Sequence, residues 1–229
     1  MTQELGAWEM WVRGRLLGSL LVVVAAAACS PDDGGRGAEA AVVGDLPAPL
    51  GTLEVAGPPC TNRSDGHPKA DDDILRESII AIDRAVQRVG GPDNLTEDAL
   101  PHWRIVGGED SRWSCVRRAL GTVARAGIAR AALRVPSGGR DEIVNFVLAA
   151  PGPPASAPIH LKIGRGGNLS WDGEPIAADE LTDKVRSMGP RAAEREAIVL
   201  GASPHATFGE VYAVVKALGA SGATAAMNF

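Results

Sequence analysis

Two stretches of this chain decide the fold, because the second repeats the first. They are RIVGGEDSRWSCVRRALGTVARAGIARAALRV, residues 104–135, and VLGASPHATFGEVYAVVKALGASGATAAMNF, residues 199–229. Gly127 aligns with Gly222 at an offset of 222 − 127 = 95 residues, and the alignment needs no gap. The same offset pairs apolar residues along both stretches: Trp113 with Phe208, Leu120 with Val215, and Val123 with Leu218. A fixed period of this kind predicts one structural unit used twice.

Each copy is expected to form a strand, a loop, a helix and a second strand. Trp113 and Phe208 should then occupy equivalent places, with their rings beneath the start of each helix. Gly127 and Gly222 stand where a left-handed C-terminal cap belongs. Thr207 and Glu210 form a capping-box pattern before the last helix.

Apolar spacing outside the repeat predicts further helices and strands. Helix spacing follows the aspartates 71–73, with an apolar face at Leu75, Ile79, Ile82, Val86 and Val89, and it recurs over 178–188. Strand patterns cover residues 48–56, 102–106, 128–135, 142–149, 159–163, 169–171, 197–201 and 223–229. Residues 58–73 read as a polar loop, and Asp172-Gly173 reads as a hairpin turn.

These elements predict an α/β (α+β) fold of two tandem small modules, each a sheet with two helices on one face. The first module spans residues 47–150, and the second spans residues 159–229. Residues 151–158, PGPPASAP, form a Pro-rich linker between the two modules.

The N-terminus has the pattern of an exported protein. Residues 1–28 carry two arginines, an apolar run of about 13 residues and small residues, which is typical of a signal peptide. Ala26-Ala27-Ala28-Cys29 resembles a bacterial lipobox, so Cys29 is expected to be lipidated and to become the mature N-terminus. Residues 29–46 read as a flexible tether. An ordinary secreted protein and an uncleaved anchor are the alternatives, although the run is shorter than the ~20 residues that span a bilayer.

Two further cysteines, Cys60 and Cys115, are plausible disulfide partners in an exported protein. Two separate buried thiols are the other possibility. Neither a CxxC motif nor His/Cys zinc spacing occurs, so we expect no metal and no cofactor. Net charge is −5 and no basic patch stands out, so nucleic acid is not an expected partner.

Several patterns that suggest chemistry have simpler explanations. The Asp71-Asp72-Asp73 run favours a helix start over a calcium loop, since a defined ligand series is missing. The glycine runs 138–139 and 164–167 lack P-loop spacing and read as turns between strands. The four histidines are scattered, and no GxSxG elbow is present, so we expect no catalytic residues.

The second module resembles the periplasmic domain of the ExbD/TolR family of biopolymer-transport proteins. The resemblance covers residues 158–229: a strand, a Gly/Asn turn, LSWDGEPI, a helix, AIVLGASPHATFGEVYAVVKALGASGA and a terminal strand. The first module is similar only over residues 104–135. The resemblance implies a small α/β module that dimerises and contacts partner envelope proteins.

Family members also carry a membrane helix with a proton-carrying aspartate, whereas residues 16–28 contain no carboxylate. We therefore expect a non-catalytic binding or scaffolding lipoprotein, related to biopolymer transport. A membrane-anchored ExbD-type subunit of a proton-driven complex and an exported hydrolase are the alternatives.

The expected location is the bacterial envelope, lipid-anchored and facing the periplasm. Ser30 after the cysteine favours the outer membrane. The expected partner is an envelope protein or a second copy, bound by strand addition at an exposed edge strand formed by residues 223–229.

Overall fold

The computed structural model describes residues 48–57, 59–96, 99–147, 158–194 and 196–228. The predicted signal peptide 1–28, the lipidation site Cys29, the tether 29–46 and all of the linker 151–158 except Pro158 lie outside the described residues. No helix among the described residues has both the length and the apolar character needed to cross a membrane.

The described residues form eleven strands and four α-helices. Those before the linker are β1 (Thr52–Ala56), β2 (Thr61–Ser64), β3 (His67–Lys69), α1 (Asp71–Arg88), β4 (Trp103–Gly107), α2 (Trp113–Arg125), β5 (Arg130–Arg134) and β6 (Glu142–Phe146). Those after it are β7 (Ile159–Ile163), β8 (Leu169–Trp171), β9 (Glu174–Ile176), α3 (Glu180–Ser187), β10 (Ile198–Ala202), α4 (Phe208–Ala220) and β11 (Ala225–Met227). Short 3-10 helices cover Pro92–Asn94, Arg165–Gly167 and Gly189–Ala193.

All eleven strands lie in one mixed sheet, in the order β3-β2-β1-β4-β5-β6-β11-β10-β7-β8-β9. Strands β1, β4 and β5 are parallel, and so are β6, β11, β10 and β7. The two parallel blocks meet at the antiparallel pair of β5 and β6. The α/β class is therefore confirmed, but the expected two separate sheets are not, because β6 lies between β5 and β11.

The same succession of elements occurs twice along the chain. Three strands, a helix, a strand, a helix and a strand run from β1 to β5 and again from β7 to β11. Strand order is mirrored about β6, so that the hairpins β2-β3 and β8-β9 form the two ends of the sheet. Both α2 and α4 contain 13 residues, and they begin at Trp113 and Phe208, the aligned aromatic residues.

One detail of the predicted repeat is wrong: the alignment needs a gap after the helices. Trp103 pairs with Ala131 in the sheet, whereas its counterpart Ile198 pairs with Ala225. The separation between equivalent residues is therefore 95 at the glycine caps, but one less at the last strand, where Ala131 corresponds to Ala225. Gly127 and Gly222 do have positive φ, 88° and 77°, as a left-handed cap requires.

The two halves meet at the starts of α2 and α4 through reciprocal backbone hydrogen bonds. The Trp113 N–H donates to the Ala206 carbonyl at 2.9 Å, and the Phe208 N–H donates to the Ser111 carbonyl at 2.7 Å. Ser111 and Ala206 are themselves equivalent under the 95-residue offset. The Trp113 and Phe208 rings are stacked with centroids 6.4 Å apart. This helix-start joint has the local two-fold pattern expected of two similar units in contact.

The core lies between the helices and one face of the sheet. Buried side chains of the strands and helices form a single hydrophobic cluster. Helix α2 contacts β1 and β4, α4 contacts β6 and β11, and the outer helices α1 and α3 lie against α2 and α4.

The predicted apolar face of α1 is shifted. Its buried residues are Ile74, Ser78, Ile82 and Ala85, and only Ile82 belongs to the predicted face. The reason is a polar contact in the core: the Trp103 indole N–H donates to the Ser78 hydroxyl at 2.8 Å, and that hydroxyl donates to the Ile74 carbonyl. Burying an indole N–H without a partner is costly, so a serine faces the sheet here.

The predicted polar loop 58–73 is also wrong, because β2 and β3 form a hairpin there. Its turn, Asp65-Gly66, has positive φ at both residues, 51° and 77°, and the turn Asp172-Gly173 of the second hairpin does the same. Positive φ at both positions is typical of a two-residue turn that suits strand twist. The prediction of a turn at Asp172-Gly173 is confirmed.

The expectation that residues 223–229 form an exposed edge is contradicted. Strand β11 lies between β6 and β10, and its three residues are at most 2 % exposed. Pairing on both sides satisfies its backbone, so it offers no free edge for another chain.

Leu120→Ala is expected to lower the free energy of unfolding by about 2–5 kcal/mol, since Leu120 is fully buried in α2 and its loss leaves a cavity. Urea unfolding followed by circular dichroism measures the change. Ile80→Ala, at an exposed position of α1, should change it by less than about 0.5 kcal/mol. Equal effects at the two positions would contradict this packing.

Candidate functional site

A groove of about 930 Å³ opens at the carboxyl ends of β7 and β10. We call it the β7–β10 groove. Its apolar lining includes Ile163, Leu169 and Ile176, and its polar lining includes Lys162, Asn168 and Ser203. Gly164, Gly167 and Gly201 add backbone without side chains. The volume lies at the upper end of the range for ligand sites, so the groove has room for several residues of a peptide.

The equivalent place in the first half is closed by a disulfide. Cys60, before β2, is joined to Cys115 in the first turn of α2, with Cα atoms 5.1 Å apart. The two sulfurs are thus bridged and are not separate buried thiols. In the second half the matching positions are Gly167 and Glu210. A Cβ placed on Gly167 would lie 3.8 Å from the Glu210 side chain, so the same two positions are again neighbours.

A polar network also closes the first half. The Asp71 carboxylate accepts a hydrogen bond from Asn62 Nδ2 at 3.0 Å and two from Arg118, at 2.9 and 2.8 Å. In the second half, strand register makes Leu169 the counterpart of Asn62 and Ala178 the counterpart of Asp71. Helix position makes Ala213 the counterpart of Arg118. None of these three can form such a network, because all of them are apolar.

Helix length adds to the difference between the halves. Helix α1 begins directly after β3 and has 18 residues, whereas α3 begins only at Glu180 and has 8. The first turn of α1 therefore has no helical counterpart beside β9. The β7–β10 groove occupies the space that the disulfide, the Asp71 network and this turn fill in the first half.

The aspartates 71–73 lie in the first turn of α1, where negative charge is favourable. They do not cap it: the N-cap residue is Ala70, and no side chain accepts a hydrogen bond there. Within the described parts of the chain, no three His, Cys, Asp or Glu side chains come together in a way that could hold a metal ion.

The true edges of the sheet are β3 and β9, and each carries a proline at its centre. In a two-residue hairpin, the two residues that flank the turn are hydrogen-bonded to each other. The next residue along the outer strand belongs to a non-hydrogen-bonded pair, so its N–H and C=O positions point away from the sheet. Pro68 and Pro175 occupy that position, where they supply no N–H. Beyond Pro175, the Ala177 N–H is already bonded to the Glu180 carboxylate at 3.0 Å. Both edges are therefore poor templates for strand addition.

His102 is the one buried histidine among the described residues, and it lies beside a charged cluster on the face of the sheet opposite α2 and α4. Arg104 contacts Asp141 at 2.8 Å, and Arg134 lies 3.7 Å from the same carboxylate. Burial lowers the pKa of His102 and the nearby Arg130 and Arg104 lower it further, while Asp141 opposes them. No described group pairs with His102 Nδ1. The other histidines, 67, 160 and 205, are exposed.

The glycine runs are turns between strands, as predicted. Gly138-Gly139 joins β5 to β6, and residues 164–167 join β7 to β8. The Tyr212 hydroxyl donates its hydrogen to the Arg140 carbonyl at 2.7 Å and lies 3.3 Å from the Gly138 carbonyl, which holds the first turn against α4. A Cβ on Gly138 would lie 2.6 Å from that hydroxyl oxygen, so a glycine is needed for this contact.

Of the groove lining, the sequence singles out only the glycine run 164–167, and there it predicts a turn. The signal that could have found the groove is the hexapeptide Asp-Gly-x-Pro-x-Ala, which occurs at 65–70 and again at 172–177. Alignment on this motif would have placed Asn62 opposite Leu169 and Asp71 opposite Ala178. The two copies of this motif are separated by a different number of residues from the 95 that separate the other repeated stretches, because α3 is shorter than α1.

Replacing Cys60 and Cys115 together by serine should lower the free energy of unfolding by ~4 kcal/mol, because the bridge closes a long loop in the unfolded chain. Urea unfolding with and without a reductant measures the effect. Reductant should destabilise the wild type and leave the double variant unchanged. A wild type that is insensitive to reductant would show that the bridge does not form.

Stability should fall as the pH drops below the ordinary histidine pKa of 6.5, because unfolded His102 gains a proton there while folded His102 does not. The free energy of unfolding should keep falling until the pH reaches the pKa of folded His102, which lies below 6.5, and this dependence should be absent above pH 6.5. Urea midpoints between about pH 7.5 and about pH 5 test this dependence. His102→Gln should flatten it, whereas His160→Gln, at an exposed site, should not.

Comparison with protein-family models, curated proteins and solved structures finds no match for this chain.

Proposed function

We propose that this chain is a bacterial envelope lipoprotein with two ExbD/TolR-like modules and a binding or scaffolding role rather than a catalytic one. Acyl groups on Cys29 would hold it in the membrane, more consistent with the outer one, and residues 29–46 would carry the folded body into the periplasm. A protein partner of the envelope is the proposed ligand of that body.

The observation that supports this proposal most is the doubled succession of elements with its two-fold joint. The resemblance implies a module that dimerises, and a chain with two similar units in reciprocal contact supplies both members of such a pair by itself. The joint uses backbone groups of the loops at 111–113 and 206–208, so it is part of the fold. The surfaces outside it would then be available to another protein.

The asymmetry between the halves supports binding as the role. A disulfide and an ion-paired network close the first half, as expected of a unit kept for stability. The second half keeps the same strands and helix but has an open groove. The open half therefore offers a surface to a partner that the closed half does not.

Cys29→Ser should prevent acylation and release the protein from membranes. Metabolic labelling with a palmitate analogue and fractionation of the envelope measure both effects, with Cys60→Ser as the control that should stay membrane-bound. Retention of Cys29→Ser at wild-type levels would contradict the lipoprotein proposal. An intact mass that still includes residues 1–28 would instead favour the membrane-anchored transport subunit.

The binding role is tested by cross-linking in intact cells. The tagged wild-type chain should retain one envelope protein at constant stoichiometry after stringent washing, and that protein should be identified by mass spectrometry. The purified pair should then form a complex when mixed. Failure of the purified components to associate would contradict the scaffolding role.

A further inference from the structure

We infer that the β7–β10 groove binds a basic, apolar segment of a protein partner, with an apolar side chain on its floor and a lysine or arginine on the Glu210 carboxylate. The inference rests on the proposed binding function and names the chemistry of the segment that the open half accepts. Three features of the molecule support it: the apolar floor of the groove, the difference between the two halves, and the carboxylates that border the lining.

The floor of the groove is apolar. Ile163 and Leu169 pair across β7 and β8 and point to the helix side of the sheet, and Ile176 continues this row on β9. Side chains alternate between the two faces of a strand, so Lys162 points to the opposite side and adds no charge to this floor. A Leu-sized side chain of a partner that is buried here would raise the affinity more than about tenfold.

The walls of the groove lack the polar groups that fill this position in the first half. There Asn62 and Arg118 hold the Asp71 carboxylate at distances of 2.8 to 3.0 Å from its oxygens. Their counterparts in the second half are Leu169 and Ala213, whose side chains donate no hydrogen bond. A carboxylate from a partner would find neither of these donors, so the change between the halves favours an occupant without negative charge.

Three carboxylates border the groove at the starts of α3 and α4. Glu210 and Glu180 each use one oxygen to accept a backbone N–H at their own helix start, 2.8 and 3.0 Å from the nitrogen. Asp179 is exposed beside them, and no described cation pairs with any of the three. Each helix start carries only about half a positive charge, so the rim stays negative even with the exposed Arg165 nearby.

Glu210 is the carboxylate that is placed to receive a cation in the groove. It stands at the position of Cys115, and Gly167 stands at that of Cys60, so a carboxylate beside a glycine replaces the covalent bridge of the first half. A Cβ on Gly167 would lie 3.8 Å from Glu210 Oε1, whereas the capping box uses Oε2. A lysine or arginine of a partner would therefore supply the contact that the first half makes within the chain.

The test uses the purified full chain and three fluorescent peptide probes, acetyl-Leu-Lys-Leu-Lys-Leu, acetyl-Leu-Gln-Leu-Gln-Leu and acetyl-Leu-Asp-Leu-Asp-Leu. Anisotropy should show saturable binding whose affinity falls from the lysine to the glutamine to the aspartate probe. In ¹⁵N-glycine spectra, the lysine probe should shift the signals of Gly164, Gly167 and Gly201. An affinity for the aspartate probe that equals or exceeds that for the lysine probe would overturn the inference, and so would shifts confined to Gly66 and Gly108 of the first half.

Glu210→Gln removes the charge and keeps the cap, because glutamine also serves in a capping box. It should weaken the lysine probe about fivefold and leave the glutamine probe unchanged, since only the ionic contact is lost. Glu54→Gln, the same change at an exposed site of β1, should leave both probes unchanged. Equal weakening of both probes by Glu210→Gln would mean that the ion pair does not form.

A second variant tests the floor of the groove. Ala178→Trp should fill the groove and weaken the lysine and glutamine probes alike, at least about tenfold, whereas Ala220→Trp at the exposed end of α4 should not. Circular dichroism confirms that each variant is folded. A folded Ala178→Trp variant with wild-type affinity for both probes would show that the groove is not the site.

The outcomes separate this inference from the proposed function. Probe binding that responds to Glu210→Gln and Ala178→Trp supports the groove even where Cys29→Ser or cross-linking contradicts the envelope role. A partner found in cells whose binding is unaffected by Ala178→Trp overturns the groove and leaves the scaffolding role standing. Binding of sodium palmitate in the groove with no response to any of the peptides also overturns the inference.

Discussion

The joint between the starts of α2 and α4 is the constraint on which the rest of the structure depends. Its two backbone hydrogen bonds fix both helix starts at once, and the stacked Trp113 and Phe208 rings exclude water from them. The approach is so close that a Cβ on Gly107 would lie 2.7 Å from the Phe208 ring. Because β4 and β10 lead directly into these helices, fixing the joint also fixes the two parallel blocks of the sheet relative to each other.

Local patterns in the sequence were enough for most helices and strands, but not for the order of the strands. The apolar face of α2 and the capping box of α4 follow from short-range spacing, and both agree with the structure. The position of β11 depends on β6, which lies some 80 residues earlier in the chain and enters between the halves. No pattern within residues 223–229 shows that partner, so the strand was expected at an edge.

Two other predictions, the polar loop at 58–73 and the apolar face of α1, are wrong because polar residues lie where apolar ones were expected. The hairpin β2-β3 contains Asn62, Arg63 and Ser64, which have low strand propensity, and its exposed place at the end of the sheet removes the need for apolar residues. Ser78 faces the core only because the Trp103 indole requires an acceptor there. In both cases a contact between distant residues overrides the local preference, and the repeated Asp-Gly-x-Pro motif is the signal within the sequence that could have exposed the first error.

Contacts between distant residues also decide which surfaces of the molecule are closed to a partner. Strand addition needs outward N–H groups, and Pro68, Pro175 and the Ala177–Glu180 bond remove them from both ends of the sheet. The joint occupies the facing loops of the two halves, and the disulfide with the Asp71 network closes the first half. Both halves have the strands and helices that form the core, whereas the closing residues occur only in the first half. Gly167, Leu169 and Ala178 at those positions therefore leave the second half open without disturbing the sheet, and an apolar groove lies where the first half has a disulfide and an ion-paired network.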